Sequence, residues 1–187
     1  LSPTSKKYSL DPGSTIQDPL TVLNDGKTAY DLVVYTAPYS LNPSTSEPIF
    51  EGSQTANSDA YSWVQFPQTR WHAESRQTLK IPFKLSVSKN ASPGGHYGVI
   101  FAEVQPSDSG NNASITRKKR VGMIIYATVN GAVKLQGTTK NVSVDWYQSR
   151  APLSAEVAIQ NTGNTDFTPT VSMRVDDILG NTKYSTT

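Results

Sequence analysis

No cysteine occurs in this 187-residue sequence, so it can form neither disulfides nor a thiolate metal site. Charged residues make up 17% of it, against about 25% in a typical soluble domain. The net charge is only +2, which predicts no strong attraction to nucleic acid. No window reaches the roughly 20 apolar residues of a membrane-spanning helix. We therefore expect neither nucleic-acid binding nor a membrane span within this stretch.

The motifs of common catalytic chemistry are also missing. The two histidines, His72 and His96, are not in an HExxH arrangement, and no nucleophile elbow or phosphate-binding glycine loop occurs. The adjacent Asp176 and Asp177 would point to opposite faces of a strand, whereas a glycosidase pair must converge across about 5–9 Å. We therefore expect no enzymatic activity, no metal and no small-molecule cofactor.

The composition that remains is typical of an all-β protein. Serine and threonine total 42 residues, and hydrophobic residues are 36% of the chain, enough for a core. Ser/Thr-rich chains poor in Lys and Glu favour strands over helices. Twelve glycines and twelve prolines are spread along the sequence, as turns between many short strands would be.

The strongest strand signal runs from Leu79 to Val87, where apolar residues alternate with polar residues or proline. Because Pro82 cannot donate to a ladder, we expect an edge strand or a bulge there. Pro93-Gly94-Gly95 predicts a turn with a positive φ at one glycine. Further strands are expected at Ser5–Leu10, Thr15–Leu23, Ala29–Thr36, His96–Val104 and Ser114–Val129, with a long loop over residues 37–60.

Asn130-Gly131 predicts a domain boundary, after which the strand-and-turn pattern restarts. We predict two immunoglobulin-like antiparallel β-sandwich domains, at residues 1–130 and 131–187. The second span is short of the roughly 100 residues and seven strands of a sandwich, so we expect it to be incomplete. An uncovered apolar face or open strand edge is therefore expected near Val171, Met173 and Val175.

The turns and strand ends resemble a family of bacterial exported cell-surface proteins with tandem immunoglobulin-like domains, distantly similar to WxL-interacting surface proteins. The residues that carry this resemblance are Ser2-Pro3, Pro12-Gly13, Asn24, Ser62-Trp63-Val64, Leu79-Lys80-Ile81-Pro82, Ala91-Ser92-Pro93-Gly94-Gly95-His96-Tyr97-Gly98, Arg120-Val121-Gly122, Val129-Asn130-Gly131 and Asn161-Thr162-Gly163-Asn164. The first domain is also similar in topology to periplasmic pilus chaperones, but their paired basic residues that clamp a carboxylate are not recognisable here.

The resemblance implies an extracytoplasmic protein of the bacterial cell surface, with a membrane tether supplied by sequence outside this stretch. Because the sequence begins at Leu1 without methionine, we expect a processed or trimmed fragment. It also implies a peptidoglycan-binding type of first domain. The leading hypothesis is a non-catalytic binding or spacer module whose partner is cell-wall glycan or another surface protein. The alternatives are an assembly chaperone or strand-complementing subunit, and a structural stalk without ligand.

Two groups of residues are candidates for binding. The basic run Arg117, Lys118, Lys119 and Arg120 would suit an anionic wall polymer, or it protects a strand against edge pairing. Tyr61 and Trp71 belong to the main aromatic concentration, and Arg70 directly precedes Trp71. Exposed aromatic side chains stack on sugars or anchor protein partners. Trp63 in the same stretch is interpreted as a core residue.

The alternation predicts that Leu79, Ile81, Phe83, Leu85 and Val87 all face the core. Phe83→Ala should then lower the free energy of unfolding by roughly 3–5 kcal/mol, because a cavity replaces the ring. Urea denaturation of the two proteins measures this, with the solvent-facing Lys84→Ala as the matched control. Equal losses for the two variants would contradict the inward orientation.

Overall fold

The computed structural model describes residues 1–42, 45, 47–50, 57–105, 119–145, 147 and 154–186. The chain forms two compact units, Leu1–Lys134 and Leu135–Thr187. The described strands of the first unit are β1 (Ser5–Leu10), β2 (Thr15–Leu23), β3 (Tyr30–Ala37), β4 (Tyr39–Leu41), β5 (Pro48–Phe50), β6 (Val64–Gln65), β7 (Arg70–Ala73), β8 (Thr78–Ser86), β9 (Gly94–Val104) and β10 (Arg120–Val129), with a 3-10 helix at Ala60–Trp63. Those of the second unit are β11 (Gly137–Val144), β12 (Ala155–Asn161), β13 (Met173–Asp176) and β14 (Thr182–Thr186).

The first unit is a sandwich of two sheets around one core. One sheet has the strand order β1-β10-β9-β3-β7 and the other has the order β2-β8-β6. All pairs are antiparallel except β1 with β10. Leu20 and Phe83 from the smaller sheet meet Leu32 and Ile125 from the larger sheet in the core. This arrangement confirms the predicted all-β, immunoglobulin-like antiparallel class.

The alternation in β8 has the predicted consequence. Ile81, Phe83, Leu85 and Val87 are buried in the core, and Leu79 packs against it half-buried. Their neighbours Lys80 and Lys84 are exposed. The inward orientation of these five side chains is therefore confirmed.

The prediction of an edge strand or a bulge at Pro82 is confirmed locally as an edge, without a bulge, although β8 as a whole is not an edge strand. This strand lies between β2 and β6, with Pro82 directly opposite Pro19 of β2. Ser14 pairs with Val87 and Asn24 with Gln77 through hydrogen bonds on the same ladder, so Pro19 and Pro82 form one of the alternate pairs, whose nitrogens point away from each other. Strand β6 pairs only with Lys84 and Leu85, so no described strand would need a backbone donor from Pro82.

The segment from 37 to 60 is not the continuous loop that its composition predicts. It contains β4 and β5, which pair with each other, and the 3-10 helix begins at Ala60. Tyr39 is buried and Phe50 half-buried against Phe101, on the face of the larger sheet that points away from the core. A second apolar cluster outside the main core therefore orders part of this segment.

Glycine conformation in the first unit follows the prediction at Gly94. This residue has φ +123°, so the expected positive φ is confirmed, although Gly94 already belongs to β9.

The predicted final strand from Ser114 begins at Arg120 in the structure, and residues 114–118 lie outside the described ranges.

The second unit consists, in its described residues, of two separate two-stranded sheets, β11-β12 and β13-β14. Val171 and Met173 are 47% and 37% exposed, and Val175 is only half-buried. The expected uncovered apolar side chains are therefore present. The boundary at Asn130-Gly131 and the incompleteness of the second domain remain predictions.

Ser14 gives a test of the packing around β2. Its Oγ is buried and has no hydrogen-bond partner in the described part of the chain. Ser14→Ala should therefore leave the stability unchanged or raise it by about 1 kcal/mol, since the methyl group has no desolvation cost. Urea denaturation measures this against Ser9→Ala, which removes an exposed hydrogen bond to Asn130 of 2.8 Å. A larger loss of unfolding free energy for Ser14→Ala than for Ser9→Ala would show that the Ser14 hydroxyl does have a hydrogen-bond partner.

Candidate functional site

Strand β10 is covered along only part of its outer edge. The N-terminal segment first pairs with β2, through two hydrogen bonds of 2.8 and 3.0 Å between Ser2 and Thr21. It then crosses to β10, where the Thr4 carbonyl accepts from Ile124 N–H at 3.0 Å, and β1 continues in parallel to Val129. From Val121 to Met123, β10 therefore has β9 on one side and no described strand on the other.

Gly122 presents its backbone to that open side. The N–H of Ile124 points towards the N-terminal segment, and strand residues two apart direct their N–H and C=O groups the same way. Val104 N–H donates to the carbonyl of Lys119 at 2.9 Å. The backbone N–H and C=O groups of the odd-numbered residues of β10 therefore point towards β9. Gly122 therefore offers one donor and one acceptor to an added strand.

An apolar groove of about 420 Å³ lies beside this edge, between the two sheets. Leu23 and Val121 are its most exposed apolar walls, at 55% and 49%. Asp25 and Lys119 are the charged side chains in its lining. The remaining apolar lining residues are Leu1, Val22, Tyr30, Leu32, Ala102 and Val104.

Asn24 fixes the wall of the groove at the end of β2. Its side chain is buried, and Nδ2 donates to the carbonyls of Thr28 and Glu74 at 2.9 and 2.8 Å. Its Oδ1 accepts from Gly26 N–H at 3.0 Å, which closes the turn. Asn24 thus ties the β2–β3 connection to the chain after β7.

The opposite face of β10 carries a layer of aromatic side chains. The Arg120 guanidinium lies 4.7 Å from the centre of the Phe101 ring, and the rings of Phe101 and Tyr35 are 5.5 Å apart. A Cβ at Gly122 would approach Phe101 to 2.9 Å, so the ring occupies the space of a side chain there. Burial, together with a hydrogen bond to Tyr126, raises the pKa of Tyr39 well above its ordinary value.

The structure brings four of the predicted binding residues to one end of the larger sheet. Lys119, Val104, Leu32 and Trp71 form one cross-strand row, which spans about 14 Å at the usual strand spacing. Arg120 and Arg70 end the next row, which points to the opposite face of the sheet. Trp71 covers the edge of the core, and its Nε1 donates to the Gln68 carbonyl at 3.1 Å.

Of the other predicted binding residues, only Tyr61 is described, and it does not join this group. Arg117 and Lys118 lie outside the described residues. Tyr61 is half-buried in the 3-10 helix, whose backbone packs so closely on β9 that a Cβ at Gly98 would meet Tyr61 N at 2.5 Å. Gly98 is six residues along β9 from Val104, or about 20 Å. The binding roles of these residues remain predictions.

Sequence reasoning missed the groove because its walls come from distant segments. Leu1, Leu23, Leu32 and Val121 have no common motif, and three strands must be placed in register before they meet. The available signal was Gly122, a glycine inside a strongly apolar strand, which often marks a close approach of another group.

His96 has a structural role. It is buried, with Nδ1 2.6 Å from Asp59 Oδ1 and Nε2 2.8 Å from the Ser92 carbonyl, so both ring nitrogens are occupied. Trp63 packs on the same ring at 4.8 Å. The described residues contain no group of His, Cys, Asp and Glu side chains suited to a metal ion. They also include no helix that could span a membrane.

Comparison with known proteins gives similarity at the level of the fold. No family model matches the sequence, and no curated protein matches it. The class 5 fimbriae chaperone CfaA is 15% identical over 87% of this chain and 66% of its own, with a TM-score of 0.49. The E. coli chaperone DraB is 13% identical over 98% and 94%, with a TM-score of 0.46. A PapD-like domain of human CEP192 is 15% identical over 69% and 82%, with a TM-score of 0.45. Scores below 0.5 assign no activity to this chain.

His72 provides a test of the electrostatics at the β7 edge. Its Nδ1 is 2.7 Å from Asp31 Oδ1, and its Nε2 is 3.4 Å from Glu74 Oε1. The hydrogen bond to Asp31, aided by the charge of Glu74, raises the pKa of His72 above its ordinary 6.5. The contribution of this interaction to the free energy of unfolding is therefore largest below pH 6.5, and it is lost as the pH rises through the folded-state pKa of His72. Because all three groups are exposed, the gain is small.

Asp31→Asn should lower the pKa of His72, measured by NMR titration of the ring Cε1 proton. Asp166→Asn, in the second unit, is the control and should leave it unchanged. An unaltered His72 titration in Asp31→Asn would show that this ion pair does not form.

Proposed function

We propose that the first unit is a non-catalytic protein-binding module that takes an extended polypeptide segment along the open part of β10. The observation that carries the proposal is the coincidence of an uncovered strand edge at Gly122 with an apolar groove beside it. An added strand gains main-chain hydrogen bonds from the edge and side-chain pockets from the groove. The strand-complementing alternative from the sequence is therefore favoured over the glycan-binding one.

The chemistry of the groove supports a polypeptide ligand over a polysaccharide. Its walls are mainly aliphatic, whereas a glycan needs many hydrogen-bonding side chains to replace its hydration. Leu23 and Val121 are each about half exposed, so covering them stabilises a complex by roughly 1 kcal/mol each. No comparison supports a cell-wall glycan as the ligand. The extracytoplasmic location and the resemblance to WxL-interacting proteins remain predictions.

The segment that fits has apolar residues at alternate positions. In β10 the odd-numbered Val121 and Met123 face the core side, and a neighbouring strand on the same side follows the same alternation. The start of β1 at Ser5 limits the length of the added strand, because Thr4 already accepts from Ile124. The ligand is therefore a short extended segment rather than a long strand.

A displayed library of short peptides with alternating apolar residues, selected on the full chain, tests the proposal. The double variant Leu23→Ser/Val121→Ser should weaken the selected peptides roughly thirtyfold, the equivalent of about 2 kcal/mol. Leu41→Ser is the matched control, because Leu41 is 52% exposed but lies on β4, outside the groove. Hydrogen exchange at the Gly122 amide should slow when peptide is bound.

Two results would contradict the proposal. One is selected peptides that bind the double variant as tightly as the unaltered chain. The other is binding of purified peptidoglycan that the double variant abolishes, since the groove would then be a glycan site.

A further inference from the structure

The second unit carries an edge strand of the kind that the groove of the first unit fits. Strand β13 pairs with β14 on one side, and no described strand lies on its other side. Val171, Met173 and Val175 alternate along this segment and are at least partly exposed. An exposed edge with alternating apolar residues is a template for pairing with another chain.

The backbone of β13 is oriented for such pairing. Asp177 N–H donates to the Asn181 carbonyl at 2.8 Å. The bulge between Val175 and Asp176 has its extra residue in β14, so β13 keeps its alternation and its odd-numbered residues direct their backbone groups to β14. Arg174 therefore directs its N–H and C=O away from β14. The turn after β13 is rigid, because Asp177 Oδ1 accepts from the backbone N–H groups of Leu179 and Asn181, both at 2.9 Å. A fixed hairpin loses little conformational entropy on binding.

We propose that β13 of a second copy of this chain occupies the open part of β10, antiparallel, with Arg174 opposite Gly122. This inference rests on the proposed function of the groove and names its occupant. The remaining pairs in this register are Lys119 with Asp177, Arg120 with Asp176, Val121 with Val175 and Met123 with Met173.

The register follows from the side chains on each face. Val175 and Met173 enter the groove beside Val121 and Met123. Asp177 and Asp176 pair with Lys183 and Arg174 within their own hairpin, each at 3.1 Å. In this register the two carboxylates of one copy also lie opposite Lys119 and Arg120 of the other, which is favourable for directly facing strand residues. Arg174 lies opposite Gly122, where the missing side chain leaves its stem free to lie against the Phe101 ring.

Shifting the register by two residues removes these matches. With Asp176 opposite Gly122, the carboxylate of Asp177 would face Val121 and enter the apolar groove. With Ser172 opposite Gly122, Arg174 would face Arg120, and like charges directly opposite are destabilising. A parallel alignment with Arg174 opposite Gly122 places Val171 and Ser172, not the two aspartates, opposite Lys119 and Arg120. Of these alignments, only the antiparallel one with Arg174 opposite Gly122 combines apolar contacts in the groove with opposite charges at the strand ends.

Head-to-tail pairing of this kind builds a closed ring where the rotation between copies closes, the smallest being a reciprocal dimer, and an open chain where it does not. We expect the purified chain to associate with increasing concentration, in sedimentation velocity and light scattering, into dimers or longer species.

Two variants, each disabling one partner surface, test the inference. Val121→Asp blocks the groove and Val175→Asp blocks the added strand, and each alone should raise the dissociation constant at least tenfold. Leu41→Asp, outside both surfaces, should not change it. An equimolar mixture of Val121→Asp and Val175→Asp should form one-to-one dimers that do not elongate, because the mixture holds one intact pair of surfaces. This rescue also shows that neither variant is misfolded.

A charge exchange tests the register. Arg120→Asp and Asp176→Arg should each weaken association, and a chain with both substitutions should recover it. A chain that stays monomeric at all concentrations overturns the inference, as does a mixture of Val121→Asp and Val175→Asp that forms no dimer. If library peptides still bind the groove in that case, the proposed function stands and only the second copy is excluded. If the peptides fail as well, the proposed function falls.

Discussion

The crossing of the N-terminal segment from one sheet to the other is the interaction on which the first unit depends. Ser2 pairs with Thr21 of β2, and only two residues later Thr4 pairs with Ile124 of β10. On β1, Lys6 and Tyr8 both contact the Asp18 carboxylate of β2, so side chains reinforce the same link between sheets. Burial and the contact with Asp18 raise the pKa of Tyr8, which keeps its hydroxyl protonated as the donor.

The position of the crossing decides what remains open. Had the segment joined β10 two residues earlier, it would have covered Gly122 and closed the groove. The sandwich is thus sealed from Ile124 onward and open before it, and Asn24 holds the facing wall in place. The groove is a consequence of strand order and of where one strand changes sheets, not of any single side chain.

The sequence predicts features that depend on local alternation and turn chemistry. The inward face of β8, the positive φ at Gly94 and the exposed apolar residues near Met173 all follow from residues adjacent in the chain. The pairing of β6 with one end of β8 was not predictable, because β6 is only two residues long and no local pattern marks it as a strand. The order within residues 37–60 was missed for a similar reason. Tyr39 and Phe50 are isolated in sequence and become a cluster only on the distant Phe101.

The candidate site was predictable only in part. The basic run identified Lys119 and Arg120, but the sequence did not reveal that one lines the groove and the other lies on Phe101 across the sheet. Tyr61 was chosen for its type, and its half-burial on the 3-10 helix follows from contacts with Gly98 that no local pattern contains.

The close approach of Phe101 to Gly122 limits how the open edge of β10 can be protected against unwanted pairing. Edge strands commonly carry lysine, proline or a bulge that discourages unwanted pairing. Because the ring already fills the side-chain space at Gly122, this position cannot acquire such a protective residue without disturbing the aromatic layer. Protection of this edge therefore falls to its charged neighbours Lys119 and Arg120, which are exposed just before Gly122. Replacing both with apolar residues would leave the edge open to unwanted pairing.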